Sequence, residues 1–204
     1  MDISKYIVPI FSNGKFNGNG FILNNGMLVT AYHVVKEGDL CFKYNEVEYN
    51  IDICDYIIKP KDKDKLVIDK ISCDLFVCLT RIEGSDISLS PRFDMKVKCE
   101  YWGYNQIEET DPVTDIHVSA NRVLLDIGLV KTEDYRAKEL VNCIMCTMEL
   151  SPGNSGGPLF QNNKVIGMLI KNSQNEGGPN RSLFIKSGYI IEALGREGIN
   201  LTLI

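Results

Sequence analysis

The strongest constraint on this chain is its rhythm. Short runs rich in β-branched and aromatic residues alternate with small clusters of Asn, Gly and Asp. The runs include residues 6–11 (YIVPIF), 20–23 (GFIL), 27–30 (MLVT), 75–79 (LFVCL), 123–127 (VLLDI), 165–170 (VIGMLI) and 183–185 (LFI). Between the first of them stand Ser12-Asn13-Gly14, Asn17-Gly18-Asn19-Gly20 and Asn24-Asn25-Gly26. Gly and Asn tolerate positive φ, so these clusters are expected to be hairpin turns. Many short strands with frequent turns predict an all-β sandwich or barrel. One helix is expected at the C-terminus, where Ile190, Ile191 and Leu194 share a face. Ser187 is its expected cap, and Gly195 or Gly198 its stop. Residues 132–141 fit either a helix or a charged loop.

The segment richest in chemistry is Ser151-Pro152-Gly153-Asn154-Ser155-Gly156-Gly157-Pro158-Leu159. A nucleophilic serine needs a tight turn that exposes its Oγ and aims backbone N–H groups at the carbonyl oxygen under attack. Three glycines remove the Cβ atoms that would obstruct such a turn. In that geometry the N–H groups of Gly153 and Ser155 form an oxyanion hole. A Gly-rich hairpin with an incidental serine is the plainer alternative, but this string is more specific than a lone G-x-S-x-G.

A general base working near neutral pH is most simply an imidazole. The chain has two histidines. His33 follows the run Met27-Leu28-Val29-Thr30, where a side chain leaving a strand can enter a cleft. His117 lies in the alternating stretch Asp115-Ile116-His117-Val118-Ser119 and reads as a structural strand residue. The third partner is sought among aspartates. Asp74 leads directly into an apolar run, where a carboxylate is costly to bury without a partner, and an imidazole N–H supplies one. Asp52, Asp55 and Asp69 compete, but Asp69 sits in a charged loop and the other two flank a separate apolar stretch.

Composition narrows the function classes. The chain has 204 residues, 44% hydrophobic and 24% charged, with a formal net charge of -5. That length suits one domain, expected to divide into an N-terminal barrel (about 1–90), a C-terminal barrel (91–186) and a helix with its tail (187–204). An acidic chain without a basic patch is a poor polyanion binder, so no nucleic-acid partner is expected. Lys61, Lys63 and Lys65 alternate with Asp62 and Asp64 and read as a solvated loop. No apolar stretch reaches the roughly 18 residues of a membrane helix, and no membrane partner is expected. The N-terminal residues lack the pattern of a secretion leader. Seven cysteines, an odd number, then favour free thiols and a cytoplasmic location. Cys143-Ile144-Met145-Cys146 has the spacing of a metal or redox pair. On a strand, however, residues three apart face opposite sides. Neither a metal nor a cofactor is expected.

The order His33, Asp74, Ser155 is the chymotrypsin order among the known triad arrangements. With Gly18-Asn19-Gly20-Phe21, Thr30-Ala31-Tyr32-His33-Val34-Val35, Cys73-Asp74-Leu75-Phe76-Val77 and Gly153-Asn154-Ser155-Gly156-Gly157-Pro158-Leu159-Phe160, the chain resembles the trypsin/chymotrypsin superfamily. It is most similar to the HtrA/Deg-like bacterial branch, and Lys164-Val165-Ile166-Gly167-Met168 looks like that branch's strand after the nucleophile.

The resemblance implies two antiparallel six-stranded β-barrels, with His33 and Asp74 from the first and Ser155 from the second. It implies a serine endopeptidase acting on protein or peptide substrates. Leu169, Ile170, Lys171 and Asn172 would pair with an extended substrate. Glu149 would lie near the wall of the primary pocket and favour Lys or Arg, unless it simply faces solvent. Two departures matter. Asn154 stands where digestive members place the aspartate that pairs with a newly cleaved N-terminus, so no such activation step is expected. The HtrA/Deg branch usually adds a PDZ domain after the protease domain; none is expected within these 204 residues, so PDZ-linked regulation is not carried over. A catalytically silent, peptide-binding version of the fold is the alternative function. The oligomeric state is unspecified.

Overall fold

Two-residue turns set the registers of the first strands. Asn13 and Gly14 both adopt positive φ (50° and 73°), as do Asn45 with Glu46 (48° and 62°) and Asn162 with Asn163 (51° and 60°). Two consecutive left-handed residues match the twist of paired strands, so each pair closes a tight hairpin. The computed structural model describes residues 3–59, 67–68, 71–72, 74–94, 98–105, 120–125, 127–128, 143–146, 150, 152–173 and 181–201. Expectations for residues 132–141, the lysine-rich loop, Asp69, Cys73, His117 and Glu149 lie outside them.

The strands are β1 (Ile7–Ser12), β2 (Lys15–Ile22), β3 (Met27–Thr30), β4 (Leu40–Tyr44), β5 (Val47–Asn50), β6 (Asp55–Ile58), β7 (Val67–Ile68), β8 (Ile71–Ser72), β9 (Phe76–Leu79), β10 (Cys99–Tyr104), β11 (Ala120–Leu125), β12 (Ile127–Gly128), β13 (Cys143–Cys146), β14 (Pro158–Gln161), β15 (Lys164–Ser173) and β16 (Arg181–Lys186). One helix, α1 (Ser187–Arg196), follows.

Among the described residues, one sheet runs β5-β4-β1-β2-β3-β9-β6 and the other β11-β10-β14-β15-β16-β13-β12, with β7 and β8 paired separately. Among the described residues, the strands paired within the two large sheets run antiparallel. The edge strands of each sheet are neighbours in sequence. In the first, only the 3-10 turn Ile51–Ile53 and Cys54 separate β5 from β6. A flat seven-stranded sheet would set its edges about 29 Å apart, beyond the roughly 18 Å that such a link spans. The sheet must therefore curl, and the same holds for β11 and β12. The fold is chymotrypsin-like, as the motifs implied. Each sheet counts seven strands where six were expected. In the second sheet, β11 and β12 form one chain run that reaches both edges, and counting it once restores six. In the first, β5 and β6 follow one another through the 3-10 turn and likewise reach both edges, so counting that run once also gives six.

The larger apolar cluster joins both sheets. Phe21, Val29, Phe76 and Val77 of the first sheet belong to it, with Phe160, Val165 and Met168 of the second and Tyr189, Ile190 and Leu194 of α1. A second cluster around Tyr101, Leu159, Ile166 and Phe184 fills the other barrel. The helix ends as the sequence suggested, at Gly198 (φ 80°). Ile199 N–H donates to Leu194 O (3.0 Å) and Gly198 N–H to Gly195 O (3.1 Å), a Schellman arrangement. Gly195 lies within the helix. The cap expectation needs correction: Ser187 is the first helical residue, and its hydroxyl donates to Val165 O (2.7 Å), tying α1 to β15 instead of capping it. Among the described residues, no helix is long and apolar enough to cross a membrane.

One further expectation fails. Asn17-Gly18-Asn19-Gly20 is not a turn but the middle of β2. A Cβ on Gly18 would lie 2.7 Å from Val34 and 3.0 Å from the Ser155 carbonyl, and one on Gly20 would lie 2.8 Å from Leu28. These glycines answer crowding from neighbouring segments, not a need for left-handed backbone.

The six described cysteines are free thiols. The Cys54 thiol interacts with Cys78, which lowers its pKa and raises that of Cys78. Cys146 is pushed up by its contact with Cys99 and by burial. Cys143, on the same strand, is pushed up to about 11 by burial. Burial, with Glu48 nearby, also pushes Cys41 up to about 11.

Two outcomes follow from this packing. Gly198→Ala places a Cβ in left-handed backbone and costs about 1 kcal/mol, read as a melting temperature lower by roughly 2–4 °C. A lower thiol pKa means more thiolate at a given pH. At pH 8, iodoacetamide should therefore modify Cys54 faster than Cys41, as peptide mapping by mass spectrometry will show.

Candidate active site

The register of β3 and β9 brings His33 and Asp74 together. Thr30 pairs with Phe76 in an antiparallel ladder, so the residues after Thr30 and those before Phe76 emerge at the same end. Beyond Thr30 the chain turns at extended Ala31 into a 3-10 turn, Tyr32–Val35, which carries His33. The Asp74 carboxylate meets it twice. One oxygen accepts the His33 backbone N–H at 2.8 Å, and the other bonds His33 Nδ1. Tyr32 N–H also donates to Asp74 O (3.3 Å). The Asp74 side chain is 29% exposed and that of His33 46% exposed, so the aspartate lies deeper and the imidazole faces outward. With Nδ1 engaged by the carboxylate, Nε2 is the ring nitrogen left for another partner.

The Ser155 turn is built by close backbone approach. Gly156 adopts φ 85°, and a Cβ there would lie 2.0 Å from Asn19 O and 2.4 Å from Thr30 Oγ1. No side chain fits. A Cβ on Gly157 would lie 2.3 Å from the Tyr101 hydroxyl. Gly153 also has positive φ (93°). The turn is pinned to both sheets. Asn19 N–H donates to Ser155 O (2.8 Å), Gly156 N–H to Leu169 O (2.8 Å) and Leu169 N–H to Gly157 O (2.9 Å). Gly157 N–H closes the turn on Asn154 O (3.3 Å). The N–H groups of Gly153 and Ser155 find no acceptor among the described residues.

A run of alternate side chains on β2 ties these two turns together. Asn17 Nδ2 donates to Val34 O (2.6 Å), next to His33. Asn19 Nδ2 donates to Gly153 O (2.8 Å), beside Ser155. The position of the missing Gly18 Cβ touches both Val34 and the Ser155 carbonyl. Residues two apart on a strand share a face, so β2 presents one amide to each turn. Neither Asn17 nor Asn19 was identifiable as part of the site from sequence, because the Asn-Gly alternation there imitates a turn, and the partner of Tyr101 lies 53 residues away.

Leu169 is withdrawn from the proposed peptide-pairing strip: its side chain is buried, and its N–H and C=O are both engaged by the Ser155 turn. Beyond it the strip is open on one side. β14 pairs only with the first part of β15, from Lys164 to Met168, so among the described residues the following stretch has β16 alone as a neighbour. Glu149 lies outside the described residues.

Asn154 is buried, and its partners on Tyr104, Asn105 and Tyr101 are neutral groups. Its Nδ2 donates to Tyr104 O (3.1 Å) and to Asn105 Oδ1, and its carbonyl accepts the Tyr101 hydroxyl (2.6 Å). Burial raises the Tyr101 pKa, so the phenol stays protonated and donates.

The sequence model of the trypsin family matches residues 3–193. The chain belongs to the trypsin family. No curated protein matches it in sequence. Among solved structures, it is similar to neuropsin, a serine protease expressed in the limbic system of mouse brain (TM-score 0.71, 15% identity, covering 96% of this chain and 95% of that one). It is also similar to an inactive form of Rv3671c from M. tuberculosis (TM-score 0.67, 14% identity, covering 96% and 88%). A third similar structure is a scabies mite inactivated protease paralogue (TM-score 0.65, 14% identity, covering 96% of both chains). Identity this low shows the shared fold alone. For a trypsin-family chain, this fold suggests peptidase function and a protein or peptide substrate.

The crowding at Gly156 gives a sharp test of the turn. Gly156→Ala must displace Asn19 or Thr30 and pull the Ser155 turn off β2. It is expected to lower the melting temperature by more than Gly198→Ala does; differential scanning calorimetry of the two variants makes the comparison.

Proposed function

We propose that this trypsin-family chain is a serine endopeptidase in which Ser155 is the nucleophile, His33 the general base and Asp74 the group that orients His33. The observation that carries the reading is the double grip of Asp74 on His33. A carboxylate bound to both the backbone N–H and Nδ1 fixes the imidazole tautomer and orientation. The Ser155 turn supports the same reading. It is held against β2 beside the residue that follows His33, and it leaves the Gly153 and Ser155 N–H groups without acceptors among the described residues.

In the proposed reaction, Ser155 Oγ attacks the scissile carbonyl carbon while His33 Nε2 takes its proton. The Gly153 and Ser155 N–H groups stabilise the oxyanion. His33 then gives its proton to the leaving amine as the C–N bond breaks, and the acyl group stays on Ser155. Water, deprotonated by His33, cleaves that ester and releases the acid. Asp74 remains ionised throughout and stabilises the imidazolium. The substrate lies extended along residues 170–172, adding a strand where β15 is open, and Glu149 is proposed to favour Lys or Arg. The motifs from Gly18 to Phe21 and from Lys164 to Met168 are the ground for placing the chain beside the HtrA/Deg branch, and a cytoplasmic site of action is proposed from its cysteine usage.

A fluorophosphonate probe tests the reading. Labelling of the native chain, abolished by Ser155→Ala, is expected. Asp74→Asn should lower kcat by about 10⁴-fold, measured on a cleaved peptide. Absence of labelling, with peptide binding retained, would instead identify a silent binding module.

A further inference from the structure

We infer that Tyr101 and Asn19 are positioning residues that set the two peptide planes on either side of Asn154, and thereby aim the Ser155 N–H at the oxyanion. The inference rests on the proteolytic reading for its catalytic consequence, but its geometry stands apart from it. A peptide unit is planar, so fixing its carbonyl fixes its N–H. The plane between Asn154 and Ser155 carries the Asn154 carbonyl at one end and the Ser155 N–H at the other. The Tyr101 hydroxyl holds that carbonyl at 2.6 Å. The plane before it carries the Gly153 carbonyl, which Asn19 Nδ2 holds at 2.8 Å. The two planes are joined only through the rotatable backbone bonds of Asn154, so an outside anchor on each is what keeps them in register.

Both anchors are rigid. Tyr101 and Asn19 are almost fully buried. Tyr101 stands against Phe184 and closes over Gly157 and Gly103, where its hydroxyl occupies the space of both missing Cβ atoms. Asn19 bridges from β2 to the end of β10. Its Nδ2 also donates to Tyr104 O (3.0 Å), and its Oδ1 accepts Tyr104 N–H (2.6 Å). Carbonyls face its nitrogen and an N–H faces its oxygen, so the partners fix the amide orientation. Its own carbonyl accepts Thr30 Oγ1 at 2.6 Å. Asn154 shares the Tyr104 carbonyl. Among the described residues the clamp partners of Gly153 O and Asn154 O are neutral, an amide and a phenol.

The experiment measures kcat and KM on a cleaved peptide for Tyr101→Phe, which removes one hydroxyl, and Asn19→Asp, which keeps the shape but removes both donors. The Ser155 amide 15N order parameter is measured alongside. Each variant is expected to lower kcat by about 10–100-fold with KM within about threefold, and to lower the order parameter. If Asn19→Asp does not fold, Asn19→Ser, which keeps one donor, is expected to fall between wild type and Tyr101→Phe in order parameter. Unchanged kcat and an unchanged order parameter in a folded variant would overturn the clamp, as would a loss confined to KM. Should the wild-type chain fail to label with fluorophosphonate, the proteolytic reading falls. The clamp then survives only if the Ser155 order parameter still drops in Tyr101→Phe.

Discussion

The arrangement hangs on one backbone hydrogen bond across the seam between the two sheets, Asn19 N–H to Ser155 O at 2.8 Å. It forms only because Gly156 and Gly18 have no side chains, which lets two backbones meet at distances that any Cβ would forbid. Around that contact the turn acquires its other ties, to Leu169 on one side and to Asn19 and Tyr101 on the other. The Ser155 turn is thus a loop held to the scaffold by hydrogen bonds from three strands. That suits a segment whose backbone N–H groups must point outward without relaxing.

His33 is held by different physics. Its place follows from strand register, since the Thr30–Phe76 pairing puts Asp74 under the 3-10 turn, and from a carboxylate that satisfies two N–H groups at once. Each oxygen of the carboxylate takes one of the two His33 groups, so neither oxygen is left over. Asn17, bonded to Val34 O, then fixes the His33 turn from the β2 side, as Asn19 fixes the Ser155 turn. The same strand therefore holds one element from each half of the proposed triad.

Much of this was legible in the sequence, for physical reasons that can be named. Runs of apolar β-formers between Asn-Gly pairs became strands with tight hairpins, and Met27–Thr30 was read with its observed bounds. Gly198 ended the helix because left-handed backbone favours glycine. The pairing of His33 with Asp74 was read from their places at strand ends. Other features were illegible because they depend on distant neighbours. Asn17-Gly18-Asn19-Gly20 has the composition of a turn and the geometry of a strand, because Val34 and Ser155 crowd its glycines and its asparagines bond across the seam. Ser187 resembles a cap, but a buried carbonyl of β15 claims its hydroxyl. Tyr101 carried no local signal at all, since its partner carbonyl lies 53 residues away. Leu169 looked like an edge residue until the Ser155 turn was seen to take both its backbone groups.

Proteins that share this fold include one described as a serine protease and one as an inactivated protease paralogue, so the state of Ser155 is the deciding point. A crystal structure of the chain after reaction with a fluorophosphonate examines that directly. A bond from Ser155 Oγ to phosphorus is predicted, with the phosphoryl oxygen against the Gly153 and Ser155 N–H groups and His33 Nε2 beside Oγ. An unmodified Ser155, with the imidazole turned away and the two N–H groups occupied by protein acceptors, would contradict it.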